Sequence, residues 1–139
     1  MKNILIITFV FFCLSCSQNS EPWKKNQLLE PNILSEMILK KTKLPHIISI
    51  GPGAVIDKSI SIGETRLSEN FNKLNEFLKS IDKKDEIVLY CGCCPFENCQ
   101  NIRPAFTLLN KLGFKNHYLL NIKNNIKTDW IDLGYPTKE

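Results

Sequence analysis

Residues 86–104 read EIVLYCGCCPFENCQNIRP, and the fold turns on them. Residues 86–90 are a short, almost continuous apolar run rich in β-favouring side chains, which predicts a strand buried on both faces. A cysteine-rich loop follows over 91–100. Residues 101–112 then carry helical spacing closed by Gly113, a residue suited to the left-handed cap that ends a helix. Strand, loop and helix in immediate succession form half of a parallel crossover unit. Loops at the carboxyl ends of parallel strands are where such sheets bind ligands.

Outward from this stretch the alternation continues. Residues 68–81 place Phe71, Leu74, Phe77, Leu78 and Ile81 on one helical face, with Ser68 as the expected N-cap. Before them, residues 46–50 (HIISI) predict a strand stopped by Gly51-Pro52-Gly53, and residues 54–62 predict a short extended segment. Residues 28–41 space Ile33, Leu34, Met37 and Ile38 as a helix, with Pro31 in its first turn. Downstream, residues 116–120 predict a strand. Residues 128–133 predict a short last helix that buries Trp130 and Ile131, and Gly134-Tyr135-Pro136 closes the chain. Strands alternating with helices imply an α/β domain with a mostly parallel central sheet flanked by helices.

The 139 residues suit a single domain, and 43% hydrophobic with 23% charged residues is an ordinary globular balance. The formal net charge is +4, with 16 Lys and 2 Arg dispersed along the chain, which does not make the basic stripe of a nucleic-acid binder. Oligomeric state leaves no mark on the sequence.

The 6 cysteines divide by position. Residues 4–14 are apolar apart from Thr8, behind Lys2. The run is too short to span a bilayer core of about 30 Å, but it fits the apolar region of a secretory signal. It ends at Leu14-Ser15-Cys16, followed by polar residues. The pattern resembles a bacterial lipoprotein signal and implies a signal peptide over 1–15, diacylglyceryl transfer to Cys16, and a lipidated tether over 16–26. The expected location is the bacterial cell envelope, lipid-anchored, facing the periplasm or the exterior. Trp23, beside Lys24 and Lys25, is read as packing on the domain, with lipid headgroups as the alternative. Residues 27–139 form the domain.

Cys91, Cys93, Cys94 and Cys99 therefore have only one another. Four arrangements suit them: one nucleophilic cysteine modulated by the rest, a redox pair built on the Cys91–Cys94 C-x-x-C, a metal site, or inert disulfides. The metal reading is disfavoured because structural zinc draws ligand pairs from separate turns, and Cys93 and Cys94 are adjacent. No cofactor is expected. A thioredoxin-type fold is disfavoured because it needs a larger sheet after the motif.

The order of elements, with Val55-Ile56-Asp57-Lys58-Ser59-Ile60, Ile87-Val88-Leu89-Tyr90-Cys91, Leu112-Gly113-Phe114-Lys115-Asn116, Asp129-Trp130-Ile131 and Gly134-Tyr135-Pro136, resembles the rhodanese (sulfurtransferase) domain over about residues 28–136. More closely it resembles a variant subgroup with CGCCP-x-x-x-C after the strand. The resemblance implies that Cys91 accepts sulfur from thiosulfate or a similar anion, holds it as a persulfide, and passes it to a thiol or cyanide. This is covalent catalysis in two steps. Backbone N–H groups of Gly92 to Asn98 would cradle the anion, with Cys93, Cys94, Pro95 and Phe96 around it and Arg103 either binding negative charge or forming a salt bridge. Cys94 or Cys99 would be placed to resolve the persulfide as a disulfide. The alternatives are a thiol–disulfide redox module, or a non-catalytic domain whose cysteines bond or bind metal. The chain departs from the family pattern in three ways. The loop is several residues longer, no arginine closes it, and ISIGPG stands where the family has Asp-Val-Arg. Glu97 stands where a phosphatase loop of this fold would need arginine.

Overall fold

The computed structural model describes residues 20–41 and 43–139. The signal peptide and the lipidated Cys16 expected from the sequence lie outside the described residues. Among those described, no helix is long and apolar enough to cross a membrane.

The chain forms β1 (Leu28–Leu29), α1 (Pro31–Leu39), β2 (His46–Ser49), β3 (Ile60–Ser61), α2 (Ser68–Lys79), β4 (Ile87–Tyr90), α3 (Ile102–Lys111) and β5 (His117–Leu120). Short 3-10 turns occupy Lys25–Gln27 and Phe96–Asn98. The five strands make one sheet in the order β1-β5-β4-β2-β3, and every pair is parallel. This is the α/β architecture expected from the sequence.

Strand β4 lies in the middle, buried on both faces. Its side chains alternate, as a pleated strand requires. Ile87 and Leu89 join the core that also contains Leu74 and Leu78 of α2 and Ala105, Phe106 and Leu109 of α3. Val88 and Tyr90 join the opposite core, with Leu34 and Ile38 of α1 and Trp130. Cys91 continues the alternation onto the α2/α3 side. The Tyr90 hydroxyl accepts from the Ile56 N–H (3.3 Å) and pairs with Ser59 Oγ (3.0 Å), so the one polar atom on this side chain is satisfied in the core.

From β2 the chain steps outward to β3, then returns through α2 to β4 on the other side of β2. The direction of winding thus reverses between β2 and β4. Their carboxyl ends frame the crevice where open α/β sheets place ligands. Gly51 follows β2 and Cys91 follows β4, so the fold itself brings these two residues face to face.

Several elements differ from the expectation. Leu28 and Leu29 are not helical: they pair with Leu119 and Leu120 as an edge strand, and the helix begins at Pro31 in its first position. Over 54–62 only Ile60–Ser61 pairs as a strand, with Ile56 making an isolated bridge to Thr137. Leu67, not Ser68, is the N-cap of α2 and gives no side-chain cap. The last turn, Lys127–Ile131, is π-type and shorter than expected, but it buries Trp130. Ile131 is exposed, not buried. Gly113 adopts φ 81°, the left-handed cap conformation.

The segment after residue 20 is not a free tether. Trp23 is buried, edge-on to Phe96 and Phe106 at 5.9 and 5.8 Å between centroids. The Asn110 side chain donates to the Pro22 carbonyl (2.8 Å).

Candidate active site

Cys91 sits at the mouth of the β2/β4 crevice, 1% exposed. Three neighbours fix its surroundings. A Cβ on Gly51 would lie 2.6 Å from Cys91 Sγ, so this wall tolerates no side chain. Gly92 backs onto Ile126, whose side chain would meet a Cβ at 2.8 Å and whose N–H donates to the Gly92 carbonyl (2.9 Å). Asn101 is 3% exposed and directs its side-chain N–H at Cys91 Sγ (3.6 Å). The Asn101 carboxamide is held in that orientation by the Arg66 N–H, which donates to its Oδ1 (2.9 Å). Thr65 Oγ1 donates to its backbone carbonyl (2.7 Å).

The loop cysteines converge. Cys93 Sγ lies 3.3 Å from Cys91 Sγ and 3.2 Å from Cys94 Sγ. The sulfurs of Cys91, Cys93 and Cys99 all lie within 4.8 Å of one another, the one convergent set of three metal-ligating side chains among the described residues. All four thiols are free. Three sulfurs at this spacing suit a soft, thiophilic ion as well as a substrate sulfur; Cys94, adjacent to Cys93, is not in the set.

The cluster concentrates negative charge on one atom. The Cys91 thiol is lowered to about 5. Hydrogen bonding from Cys99 is the largest cause, opposed by burial and assisted by the Cys93 backbone N–H, Asn101 and the Cys93 thiol. Cys93 is raised to about 12 by burial and by the thiols of Cys94 and Cys91. Cys99 is pushed up by its hydrogen bond to Cys91 and by burial. Near neutral pH the arrangement is one thiolate, Cys91, held by protonated thiols and N–H donors. Such a thiolate is both a nucleophile and a good leaving group.

The remaining expected residues fall around this centre. Phe96 is buried against Trp23, and its N–H donates to the Ile122 carbonyl (3.0 Å). With Pro95 it lines a groove of about 290 Å³ beside Leu28, Glu97, Asn121 and Lys123. Arg103 is turned elsewhere. Its guanidinium pairs with Glu21 (2.6 Å) and lies 5.4 Å from the Trp23 ring. His46 pairs with Asp85 and His117 with Asn110, as edge and core histidines.

Asn101 and Gly51 contact Cys91, and the sequence did not single them out. Asn101 read only as the first residue of a helix. Its side chain instead spends its hydrogen bonds on the thiol and on a loop distant in sequence. Gly51 read as a turn. Its closeness to Cys91 becomes visible only once β2 and β4 are adjacent.

No family model and no curated protein matches the chain. Solved structures do. The rhodanese-like domain of the Alr3790 protein from Anabaena sp matches with a TM-score of 0.57 at 15% identity, over 81% of this chain and 78% of that one. The BH2092 protein from Bacillus halodurans matches with a TM-score of 0.58 at 20% identity, over 79% and 74% of the two chains. A protein from Lactobacillus plantarum matches with a TM-score of 0.62 at 12% identity, over 82% and 89%. The chain has the rhodanese-like fold, with its cysteine cluster in the loop after the central strand.

Proposed function

We propose that this domain is a sulfurtransferase-type protein that carries sulfane sulfur as a persulfide on Cys91, taken from thiosulfate or a similar anion and given to a thiol or cyanide. The observation that carries the reading is a single cysteine at the carboxyl end of β4, lowered to about 5, with Cys99, the Cys93 N–H and Asn101 around its sulfur. Attack of this thiolate on the outer sulfur of thiosulfate expels sulfite. The same donors that favour the thiolate are placed to hold the negative persulfide. Discharge regenerates a low-pKa thiolate, the better leaving group.

The protein works at the bacterial cell envelope, held by lipid on Cys16 and facing the periplasm or the exterior. The apolar run over 4–14 and the Leu14-Ser15-Cys16 sequence support this placement. Palmitate labelling that disappears in Cys16→Ala is the expected result, and labelling that persists contradicts the anchor.

Thiocyanate release from thiosulfate and cyanide tests the chemistry. Wild-type protein is expected to turn over, and Cys91→Ala to be inactive while keeping its near-ultraviolet circular dichroism. Equal activity in the two overturns the reading. A second reading, a thiol–disulfide redox module, is favoured by the 3.3 Å between Cys91 and Cys93 sulfurs. It is separated by the same assay, since a pure dithiol produces no thiocyanate.

A further inference from the structure

We infer that Cys93 is the outlet of the site: sulfane sulfur held on the buried Cys91 passes to the exposed Cys93 thiol and leaves from there to thiol acceptors of tripeptide or protein size. The inference rests on the persulfide reading of Cys91 and goes beyond it by assigning the route and the acceptor class.

Access requires such a route. Cys91 is 1% exposed, walled by Gly51 on one side and with Gly92 packed on Ile126 beside it. Cyanide or thiosulfate is small enough to reach it through modest loop motion. The sulfur of a peptide or protein thiol carries a backbone with it and is not. Cys93 is exposed, and its sulfur is 3.3 Å from Cys91 Sγ. Neither of the other thiols fills this role. Cys99 is 1% exposed within the α2/α3 core. Cys94 is half-buried against that core and touches Cys93. The sulfane atom sits about 2 Å from the sulfur that bears it, so the gap to the partner must widen during transfer. Cys93, outside the packed core, is the partner free to move.

The step balances without an oxidant or a reductant. The Cys93 sulfur attacks the outer sulfur of the Cys91 persulfide. The bond from that sulfur to Cys91 breaks and a bond to Cys93 forms. The Cys93 thiol proton moves to the transferred sulfur, and Cys91 departs as its thiolate. The direction follows from access: the sulfur leaves a cysteine that is 1% exposed for one that is exposed, where an acceptor can reach it. An acceptor thiolate then takes the sulfur from Cys93.

The test is site-mapped mass spectrometry of the folded protein after thiosulfate loading and alkylation, combined with discharge by glutathione and by cyanide. In wild type, sulfur is expected on Cys91 first and on Cys93 later. In Cys91→Ser, Cys93 is expected to stay unmodified. In Cys93→Ser, Cys91 loads, and the ratio of glutathione to cyanide discharge rates falls at least about tenfold. Three results overturn the relay alone, with Cys91 loading normally: Cys93 never carrying sulfur, Cys93 loading in Cys91→Ser, or the ratio in Cys93→Ser staying within about twofold of wild type. Absence of sulfur from Cys91 in wild type overturns the persulfide reading and the relay with it.

Discussion

Removing Cys99 exposes what holds Cys91 ionised. Its hydrogen bond is the largest of the causes that lower Cys91 to about 5, and burial opposes it. In Cys99→Ala the burial remains, and only the Cys93 N–H, Asn101 and the Cys93 thiol resist it. The midpoint of Cys91 ionisation therefore rises, by about one unit or more, which for one unit is about twofold less thiolate at pH 6 and about ninefold less at pH 4. Absolute reactivity at pH 7 is a poor probe of this. A thiol at about 5 is almost wholly ionised at pH 7, against about 3% of an ordinary thiol near 8.5, a gain of about 30-fold. Its lower basicity costs about 40-fold in intrinsic nucleophilicity, so the two effects cancel. At pH 5 the ionisation advantage grows to over about 1,000-fold, and the net gain is about 40-fold. The assay is the alkylation rate of Cys91 by iodoacetamide from about pH 4 to about pH 9, read by peptide mass spectrometry. Restricted access scales all points alike and leaves the midpoint intact. Wild type is expected to show half-maximal rate near pH 5, and Cys99→Ala a clearly higher midpoint. A wild-type midpoint at about 8 or above, or coincident midpoints in the two proteins, refutes the reasoning.

Three further outcomes follow from the same geometry. Gly51→Ala sets a methyl 2.6 Å from Cys91 Sγ; it is expected to cost about 1–3 kcal/mol of stability by overpacking and about a hundredfold in sulfur transfer by displacing the thiolate, and wild-type turnover in this variant contradicts the placement of β2 against the site. Asn101→Ala removes the side-chain donor to Cys91 and leaves the Arg66 N–H without its acceptor; a loss of about 1–3 kcal/mol is expected in denaturant unfolding. The Cys91 midpoint should rise in that variant and rise further in Asn101→Asp, where a carboxylate faces the thiolate; unchanged midpoints in both argue against the contact. Trp23→Ala opens a gap against Phe96 and Phe106, expected to cost about 3 kcal/mol or more and roughly 10 °C in Tm; a shift under about 3 °C means that the N-terminal segment does not dock.

The site's position was legible because the residues around it obey local rules. The run ending at Tyr90 is apolar without alternation, as a central parallel strand must be. The cysteines start where it stops, and Pro31 and Gly113 mark helix ends by their own backbone preferences. What escaped depends on partners distant in sequence. Leu28–Leu29 is a strand only because Leu119 and Leu120 supply the ladder. Two residues carry no period of their own, and they run directly into a helical pattern. Arg103 reads from its distance to the loop as either an anion binder or a salt-bridge partner, and only the structure shows the pairing: Glu21 and Trp23, 80 or more residues earlier, face its guanidinium. The roles of Gly51 and Asn101 rest on the reversal of winding between β2 and β4, a property of strand order that no single segment records.

The most direct measurement is the mass of the Cys91 peptide from reduced protein after incubation with thiosulfate. A trapped adduct of about 32 Da, one sulfur atom, on Cys91 in wild type and on no cysteine in Cys91→Ser is the expected result. A Cys91 peptide that never gains this mass, in protein whose fold is intact, contradicts the assignment of Cys91 as the sulfur carrier.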